Sequence, residues 1–496
     1  MEKRKSYRKL FFFHLIMNVF FIVFITGSSY YHTPLNGLKD SIIYLIHLLL
    51  LQLTVAGILY FFSLNKVIFK IVFPVFYMIY GIIAFWVYTL DISVSSSLID
   101  ATLQSKLYII KDLITFQFFI FLFFQLISLY IIFRYYRTIE TTKGYRFLSI
   151  LSISLVSVFF IVENKRYNTF KSKLPYKLYY SIKEYNSKPI LELLDVSKRH
   201  FRSEVDSLKV VLVIGESVRA DHLGINGYHR NTTPQLAKKK DSILSVKSIY
   251  TNKTYTAVSL SQILTNMSIY EDKNVDEVSS IYSVLKNADV YTSWVGNQLL
   301  EFDYKPIIES NEKVTIIDEL KSVYSFHKLK DNELLPFLKR DLQLKSEKSL
   351  ISLHMIGSHW WYEDKYTDEF RKFTPVVDSK YIPSMTNDQM INSYDNTILY
   401  LDSFLSEVIG ILQEETSPIM MLYISDHGES LGENGKWLHA HNDESLTNPA
   451  MIVWVSEKFK EKYPHKTEYL DSLYLENNTT DLIYPLILDL FEIKEY

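Results

Sequence analysis

The first third of the chain consists of long apolar stretches separated by short polar ones. Four stretches contain about 20 residues, the length of helix that crosses the hydrocarbon core of a bilayer, and a fifth is slightly shorter but uncharged. They are Leu10–Gly27, Ile42–Leu64, Ile71–Leu90, Ile114–Phe133 and Phe147–Val162. No clear cleavage site follows the first stretch, so it is typical of a membrane span and not of a removed signal peptide. The pattern predicts five transmembrane helices.

Lysine and arginine are distributed unevenly between the loops of this part. Eleven of them precede the first stretch or follow the second and fourth, whereas the alternate loops hold only Lys39, Lys106 and Lys111. Since positively charged loops stay in the cytoplasm, the N-terminus is predicted to be cytoplasmic and, after five spans, the rest of the chain to lie outside the cytoplasm. A four-span chain, in which the fifth stretch does not cross and the rest is cytoplasmic, remains an alternative.

From Leu208 onwards, short apolar runs alternate with segments of helical periodicity. Continuous apolar runs are typical of strands buried on both faces of a parallel sheet. The predicted strands are Lys209–Ile214, Ser349–His354, Pro418–Ile424 and Ala450–Val455, and the predicted helices are Ser280–Asn287, Leu334–Leu344, Asp388–Gln413 and Thr480–Phe491. The alternation predicts an α/β fold with a mostly parallel sheet, and functional residues are expected after the carboxyl ends of its strands.

The two patterns divide the chain into three predicted regions. They are a transmembrane domain over residues 1–163, a linker over 164–207 and a soluble domain over 208–496. Within the linker, the segment Arg166–Lys188 mixes lysine with tyrosine. That mixture is typical of a helix in the membrane interface, and a solvated linker explains it equally well.

Composition and charge agree with this division and exclude several classes of protein. Residues 1–162 include 20 charged residues, whereas the remaining 334 include 88, with ten more acidic than basic. A wholly soluble chain is excluded, and so is disorder, because 48% of the residues are hydrophobic. The chain has no cysteine, which excludes disulfides, cysteine-ligated metals and a cysteine nucleophile. Nucleic acid is not expected as a partner, because the soluble part is acidic.

Polar residues follow three of the predicted strands. Glu216 comes one residue beyond the end of the first strand and His359 shortly after the second. Asp426 and His427 follow one residue beyond the end of the third, with His439 close behind. Two carboxylates and an imidazole form a plausible first coordination shell for zinc. Each residue also has a structural explanation, such as a capped turn or a charge at a helix N-terminus. His354 lies inside a predicted strand and is expected in the core.

A candidate nucleophile is Thr256, which begins a predicted helix in the sequence TYTAVSLSQIL. A hydroxyl at this position can face an anion, with the backbone N–H groups of the helix N-terminus behind it. Threonine also frequently caps helices. On the residues alone, capping is the preferred interpretation.

Several long motifs occur in a fixed order along the chain. They are VLVIGESVRADHLGINGYHRNTTPQL, TAVSLSQILTN, LHMIGSHWWYEDKYTDEFRKFTP, INSYDNTILYLD and YISDHGESLGENGKWLHA. With these motifs the chain resembles the phosphoethanolamine transferases of Gram-negative envelopes, which belong to the alkaline-phosphatase/sulfatase superfamily and include enzymes that modify lipid A. The resemblance extends over the five-helix N-terminal region and essentially all of residues 208–490.

This resemblance implies a five-helix transmembrane bundle followed by an α/β/α sandwich. It implies one catalytic Zn²⁺ held by Glu216, Thr256, Asp426 and His427, with a second zinc ion possible. Thr256 would be the nucleophile that takes phosphoethanolamine from phosphatidylethanolamine. The phosphoryl group, or the second zinc, would be bound by His359 and His439, and Glu429 would lie beside them.

The resemblance further implies a multi-pass protein of the bacterial inner membrane with its catalytic domain in the periplasm. We expect a monomer whose acceptor is lipopolysaccharide, through lipid A or a core sugar, or another envelope glycan. Three departures leave the acceptor open. Lipid A enzymes usually carry disulfides, whereas this chain has no cysteine. In the loop Ser95–Leu107 only Thr102 matches the pattern of those enzymes. Lys305 is a weak candidate for their phosphate-binding lysine. These departures slightly favour a lipopolysaccharide sugar over lipid A.

Three other functions are alternatives to phosphoethanolamine transfer, and the sequence fits them to different degrees. A sulfatase needs a cysteine or serine that is converted to formylglycine in a Cys/Ser-x-Pro-x-Arg setting, and TYTAVSL has neither the proline nor the arginine. A phosphoglycerol transferase, which also uses a metal-bound threonine, remains an alternative. A non-catalytic envelope scaffold is disfavoured, because every residue of the implied metal shell is present.

Overall fold

The chain folds into two compact units in this computed structural model. The structure describes residues 2–496 except 91–93, 97, 100–114, 140–144, 166–168, 188–190, 271–277, 320, 322–327, 345, 380–381 and 474–477. The helical unit comprises Met1–Ser187 and Asp378–Ser384, and the sheet unit comprises Lys188–Val377 and Met385–Tyr496. The predicted fold class is confirmed, whereas the predicted domain boundaries stay predictions.

Seven helices of the helical unit lie in the described residues. They are α1 (Glu2–Phe21), α2 (Ser28–Tyr31), α3 (Gly37–Leu64), α4 (Lys66–Leu90), α5 (Phe116–Tyr136), α6 (Tyr145–Lys165) and α7 (Tyr176–Ser187), and a π-helical stretch over Ile22–Thr26 follows α1. Five segments of the described chain are long and apolar enough to cross a membrane. Each of them overlaps one predicted span.

Close backbone packing joins α3 to α6. A Cβ atom added at Gly57 would lie only 2.8 Å from the carbonyl oxygen of Ser152, so this approach requires a residue without a side chain. Two hydrogen bonds inside the bundle join α4 to α5. The Gln125 amide donates to the carbonyl of Tyr77 at 2.7 Å, and the Tyr77 and Ser128 hydroxyls are 2.7 Å apart.

The described part of the predicted interface segment folds with the helical unit. The Tyr176 hydroxyl donates to Thr54 Oγ1 at 2.9 Å, and its ring centroid lies 4.3 Å from that of Phe159. Glu163, near the end of α6, accepts the backbone N–H of Lys171 at 3.0 Å. A helix therefore exists at residues 176–187, and its position in a membrane interface stays a prediction.

The sheet unit contains a central seven-stranded sheet. In order across the sheet the strands are β3 (Ile243–Val246), β11 (Met451–Val455), β8 (Ile419–Ser425), β2 (Leu208–Gly215), β7 (Lys348–His354), β5 (Tyr291–Gly296) and β6 (Lys313–Ile316). Neighbouring strands are parallel from β8 to β6, and β11 is antiparallel to both of its neighbours. The remaining strands form two-stranded pairs: β1 (Phe201–Ser203) with β13 (Ile493–Glu495), β4 (Ile249–Tyr250) with β12 (Asn478–Thr479), and β9 (Ser430–Leu431) with β10 (Trp437–Leu438).

Helices cover both faces of the central sheet. They are α8 (Pro234–Ala237), α9 (Thr256–Ile263), α10 (Ile281–Asn287), α11 (Lys305–Glu309), α12 (Leu335–Leu342), α13 (Asn387–Gln413), α14 (Glu457–Lys462), α15 (Pro464–Ser472) and α16 (Ile483–Leu490). Alternate residues of β2 point to opposite faces: Leu212 packs in the same core as Leu260 of α9, and Val211 in the same core as Leu338 of α12. This is the three-layer arrangement that the sequence predicts.

All four predicted strands and all four predicted helices are present, with ends that differ by at most three residues. Ser280 is the N-cap of α10 and not its first residue, since its side chain accepts from the N–H of Tyr282. Three strands of the sheet, β3, β5 and β6, were not predicted. In β5 the apolar run is interrupted by Thr292 and Ser293, both of which are fully buried.

We predict that Gly57→Leu destabilises the helical unit. The new side chain would meet the Ser152 carbonyl, and overpacking of this kind typically costs about 1–3 kcal/mol. Thermal unfolding of the full chain in detergent measures the effect. The control is Leu53→Phe, which adds bulk on the same helix at a side chain that is 46% exposed. Equal unfolding midpoints for the two variants would contradict the packing role of Gly57.

Candidate metal centre and active site

The candidate site begins where two neighbouring strands end. Gly215 at the end of β2 is in register with Ser425 at the end of β8, so Glu216 and Asp426 leave the sheet side by side. His427 follows directly. Ligand atoms of Glu216, Asp426 and His427 lie within 4.8 Å of one another, and all three residues are buried. The structure thus brings these three residues together, and their role as metal ligands stays a prediction.

Hydrogen bonds hold the two carboxylates but leave one oxygen without a donor. Glu216 accepts from Ser217 Oγ at 2.7 Å and from Gln298 Nε2 at 3.2 Å. Asp426 Oδ1 accepts the backbone N–H groups of Ser217 at 3.0 Å and His427 at 2.8 Å. Among the described residues no hydrogen-bond donor reaches Asp426 Oδ2. A buried carboxylate oxygen without a donor is costly unless a cation neutralises it.

The imidazole of His427 faces this oxygen. Its Nδ1 lies 2.7 Å from the carbonyl oxygen of Gly428 and must donate to it, so Nε2 of the neutral ring carries a lone pair. Nε2 is 3.3 Å from Asp426 Oδ2 and 3.6 Å from Glu216 Oε1, and no described group bonds to it. Two buried carboxylates and an imidazole nitrogen that point at one another without hydrogen bonding are suited to bind a divalent cation. The residues present therefore fit a metal ion.

Thr256 is the first residue of α9, and its hydroxyl is directed at this cluster. Its Oγ1 donates to Glu216 Oε2 at 2.8 Å. The N-cap position is occupied by Tyr255, which makes no side-chain capping bond. The interpretation that Thr256 caps its helix is therefore wrong. Thr256 as a whole is partly exposed.

Two further histidines lie beside the cluster. The ring centroid of His439 is 4.9 Å from that of His427 and 5.3 Å from that of His359. His439 Nδ1 is 3.0 Å from Glu429 Oε2, and the other carboxylate oxygen of Glu429 accepts the Tyr362 hydroxyl at 2.8 Å. The structure thus brings both predicted histidines and Glu429 to the site.

The two histidines differ in their electrostatic surroundings. Burial lowers the pKa of His359 well below its ordinary value, and the neighbouring His439 lowers it further. Burial also lowers the pKa of His439, but the Glu429 carboxylate outweighs this effect and raises the pKa to about 9. In the absence of a cation, His359 is therefore neutral and His439 is paired with Glu429.

The loop that carries His359 is anchored by Asp331. Gly357 has a φ of +47°, and a Cβ atom there would lie 2.8 Å from the backbone oxygen of Glu216. Asp331, which is fully buried, accepts the backbone N–H groups of Ile356 at 2.9 Å and Gly357 at 3.0 Å. The loop after β7 is thereby fixed against the end of β2.

Two of the residues predicted to bind substrate, Thr102 and Lys305, have no described contact with this cluster. Thr102 lies outside the described residues. Lys305 begins α11, and its Nζ is 3.6 Å from Glu309 Oε1 on the same helix. The predicted roles of both residues stay predictions.

The sequence did not indicate three residues that support the site, namely Gln298, Tyr362 and Asp331, nor a buried lysine whose charge interacts with Asp331 and Glu216, Lys365. Lys365 is 1% exposed, and its ammonium group has no hydrogen-bond partner among the described residues. Burial lowers its pKa to about 8, against the opposing charge of Asp364. Of these residues, only Tyr362 and Lys365 lie within one of the long motifs given above. Nothing in the local sequence of that motif distinguishes them from ordinary core or surface residues.

A comparison with protein families shows to which family residues 209–493 belong. The model of the sulfatase family matches residues 209–493, more than half of the chain. The chain belongs to the sulfatase family. A sulfatase-family fold is used for different reactions, so membership by itself does not name the reaction.

The similar proteins within this family are phosphoethanolamine transferases, as the motifs predict. Phosphoethanolamine transferase EptA of Escherichia coli strain K12 is 31% identical over 265 residues, which are 51% of this chain and 47% of the relative. The chain thus spans about half the length of the curated relatives it matches.

Solved structures extend the similarity. The soluble domain of lipooligosaccharide phosphoethanolamine transferase A from Neisseria meningitidis is 29% identical with a TM-score of 0.55, covering 62% of this chain and 94% of that one. The integral membrane form of that protein is 21% identical with a TM-score of 0.55, covering 97% of this chain and 95% of that one. The second similarity shows the fold alone.

We predict that Zn²⁺ raises the thermal unfolding midpoint of the full chain and that Asp426→Ala abolishes the increase. The variant removes the carboxylate that faces His427 Nε2. Ligand at 100 times its dissociation constant adds about 2.7 kcal/mol to the unfolding free energy. The control, Asp471→Ala, removes an exposed carboxylate of α15 and should keep the full increase. The same increase in Asp426→Ala would contradict a metal centre at this position.

Proposed function

We propose that this protein is a zinc-dependent phosphoethanolamine transferase whose nucleophile is Thr256. One observation carries the proposal: the Thr256 hydroxyl donates to Glu216 Oε2 at 2.8 Å, beside the unpaired Asp426 Oδ2 and His427 Nε2. A hydroxyl, two carboxylates and an imidazole are a donor set that Zn²⁺ accepts. The similarity to phosphoethanolamine transferases supports this choice of reaction.

The proposed reaction consists of two displacements at one phosphorus atom. First, Thr256 Oγ1 bonds to the phosphorus of phosphatidylethanolamine, the bond to the glycerol oxygen breaks, and diacylglycerol leaves with a proton. Then a hydroxyl or phosphate oxygen of the acceptor bonds to phosphorus, the bond from phosphorus to Thr256 Oγ1 breaks, and Oγ1 regains a proton from the acceptor or from solvent. Dividing a transfer in this way is a general property of covalent catalysis.

The residues of this chain have separable tasks in that sequence. A bound zinc ion would lower the pKa of a coordinated hydroxyl and neutralise phosphoryl charge. Glu216 Oε2 already receives the Thr256 proton in a hydrogen bond. The N–H groups at the start of α9 direct partial positive charge at an anion next to Thr256.

We assign the neighbouring histidines to the phosphoryl group. The ring of His439 lies 4.9 Å from that of His427 and 5.3 Å from that of His359, and we propose that His359 and His439 contact phosphoryl oxygens or the leaving glycerol oxygen. Glu429 holds the ring of His439 through Nδ1, so the other ring nitrogen is oriented for such a contact. A second zinc ion bound by these histidines remains part of the proposal.

The proposed location is the bacterial inner membrane, with the N-terminus in the cytoplasm and the catalytic domain in the periplasm. The five apolar helices and the excess of positive charge in alternate loops support it. We propose a monomer that uses phosphatidylethanolamine as donor. The acceptor is lipopolysaccharide, through lipid A or a core sugar, or another envelope glycan, and Thr102 and Lys305 are candidates for contacts with these substrates.

We predict a covalent phosphoethanolamine adduct on wild-type protein and none on Thr256→Ala. Detergent-purified full chain is incubated with phosphatidylethanolamine and Zn²⁺, and the intact mass is measured. The matched control is Ser259→Ala, which removes a hydroxyl of the same helix that bonds to the carbonyl of Tyr255 and should form the adduct. An adduct on Thr256→Ala would overturn the assignment of the nucleophile. A phosphoglycerol adduct from phosphatidylglycerol would instead identify a phosphoglycerol transferase.

We further predict that deleting this protein removes phosphoethanolamine from lipopolysaccharide. Transfer adds an ammonium group to an anionic surface and weakens the attraction of cationic peptides. The measurement is the mass profile of purified lipopolysaccharide from the deletion strain, with wild type or Thr256→Ala restored. An unchanged profile, in cells whose protein forms the adduct on Thr256, would exclude lipopolysaccharide and point to another glycan.

A further inference from the structure

A cavity of about 900 Å³ opens between two membrane-spanning helices of the helical unit. Arg8, Lys9 and Phe12 of α1 line one side, and Tyr130 and Arg134 of α5 line the other. The volume is within the range of cavities that bind small molecules. The cavity belongs wholly to the helical unit, and none of its lining residues takes part in the metal centre.

The charge of this cavity is positive and is not neutralised by its walls. Arg8, Lys9 and Arg134 are exposed, and among the described side chains none of those that line the cavity is acidic. Within the described part of the chain, these three side chains have no ion-pair partner. The Arg8 guanidinium lies 5.7 Å from the centroid of the Phe12 ring, a contact that leaves its N–H groups available.

The cavity lies where two spans reach the edge of the apolar region. Arg8 is the first residue of one span, and Arg134 is two residues before the end of another. Exposed tyrosines at Tyr130 and Tyr135 accompany the cations, and aromatic side chains are enriched at the level of lipid headgroups. An occupant of the cavity would therefore be at headgroup depth.

We propose that this cavity binds the headgroup of a phospholipid with net negative charge. Guanidinium groups bind phosphate oxygens through paired, charge-assisted hydrogen bonds, and Arg8 and Arg134 supply one such group from each helix. Basic pockets between membrane helices recognise anionic headgroups by this chemistry. The bound lipid would join α1 to α5 and stabilise the end of the bundle that carries the N-terminus.

The same geometry disfavours a zwitterionic lipid. A phosphatidylethanolamine headgroup would bring its ammonium group close to three cations and leave that charge unpaired. The cavity is therefore distinct from a donor site for phosphatidylethanolamine. The proposal does not rest on the proposed function, since it requires only that α1 and α5 span a membrane.

Native mass spectrometry of the full chain in detergent tests the proposal. The protein is titrated with phosphatidylglycerol and with phosphatidylethanolamine of the same acyl chains. The test variant carries Arg8→Gln, Lys9→Gln and Arg134→Gln. The matched control carries Lys66→Gln, Lys70→Gln and Arg137→Gln, which remove three exposed cations that do not line the cavity.

Wild type and control should bind phosphatidylglycerol at least about tenfold more tightly than the test variant, since each basic residue near a membrane surface contributes appreciably to binding. High salt should reduce this difference. Equal binding of both lipids by wild type, or equal losses in the two triple variants, would overturn the proposal. If the triple variant does not fold, phosphatidylglycerol binding by Arg134→Gln is compared with binding by Arg137→Gln. Each of these variants lacks one positive charge, and only the first lacks a charge of the cavity.

Discussion

The sheet unit depends on an electrostatic constraint at the ends of β2 and β8. Two buried carboxylates and an imidazole face one another, and Asp426 Oδ2 and His427 Nε2 lie 3.3 Å apart without a hydrogen bond to any described group. Such an arrangement is unfavourable in a low-dielectric interior unless a cation occupies it. The parallel sheet makes it possible, because adjacent parallel strands end at the same edge and bring Glu216 and Asp426 together.

The groups around this centre keep it in place. Ser217 supports both carboxylates, with its hydroxyl on Glu216 and its N–H on Asp426. Thr256 and Gln298 share the remaining oxygen of Glu216. Glu216 is therefore positioned by donors from three parts of the chain. A nucleophile that already bonds to a metal-facing carboxylate requires little movement before it reacts, which is the kind of preorganisation that phosphoryl transfer depends on.

Much of this arrangement could be predicted from the sequence, because it is encoded in local patterns. Apolar runs identified four strands of the sheet, and the polar residues that follow three of these strands are those that the structure brings together. The hydrogen bond from Thr256 to Glu216 joins residues 40 positions apart, so the local pattern at Thr256 favoured a helix cap. Strand β5 was missed because Thr292 and Ser293 are polar although fully buried. Gln298 and Asp331 act through bonds to distant backbone or carboxylate groups, which no periodicity indicates.

The anchoring of the loop after β7 also bears on how related chains can diverge. Asp331 holds the N–H groups of Ile356 and Gly357, and Gly357 lies against the backbone of Glu216 in a conformation that other residues rarely adopt. A change at either residue would displace His359 and Glu216 together. We therefore expect positions 331 and 357 to tolerate few substitutions among related chains, although they are 26 residues apart and neither carries out chemistry.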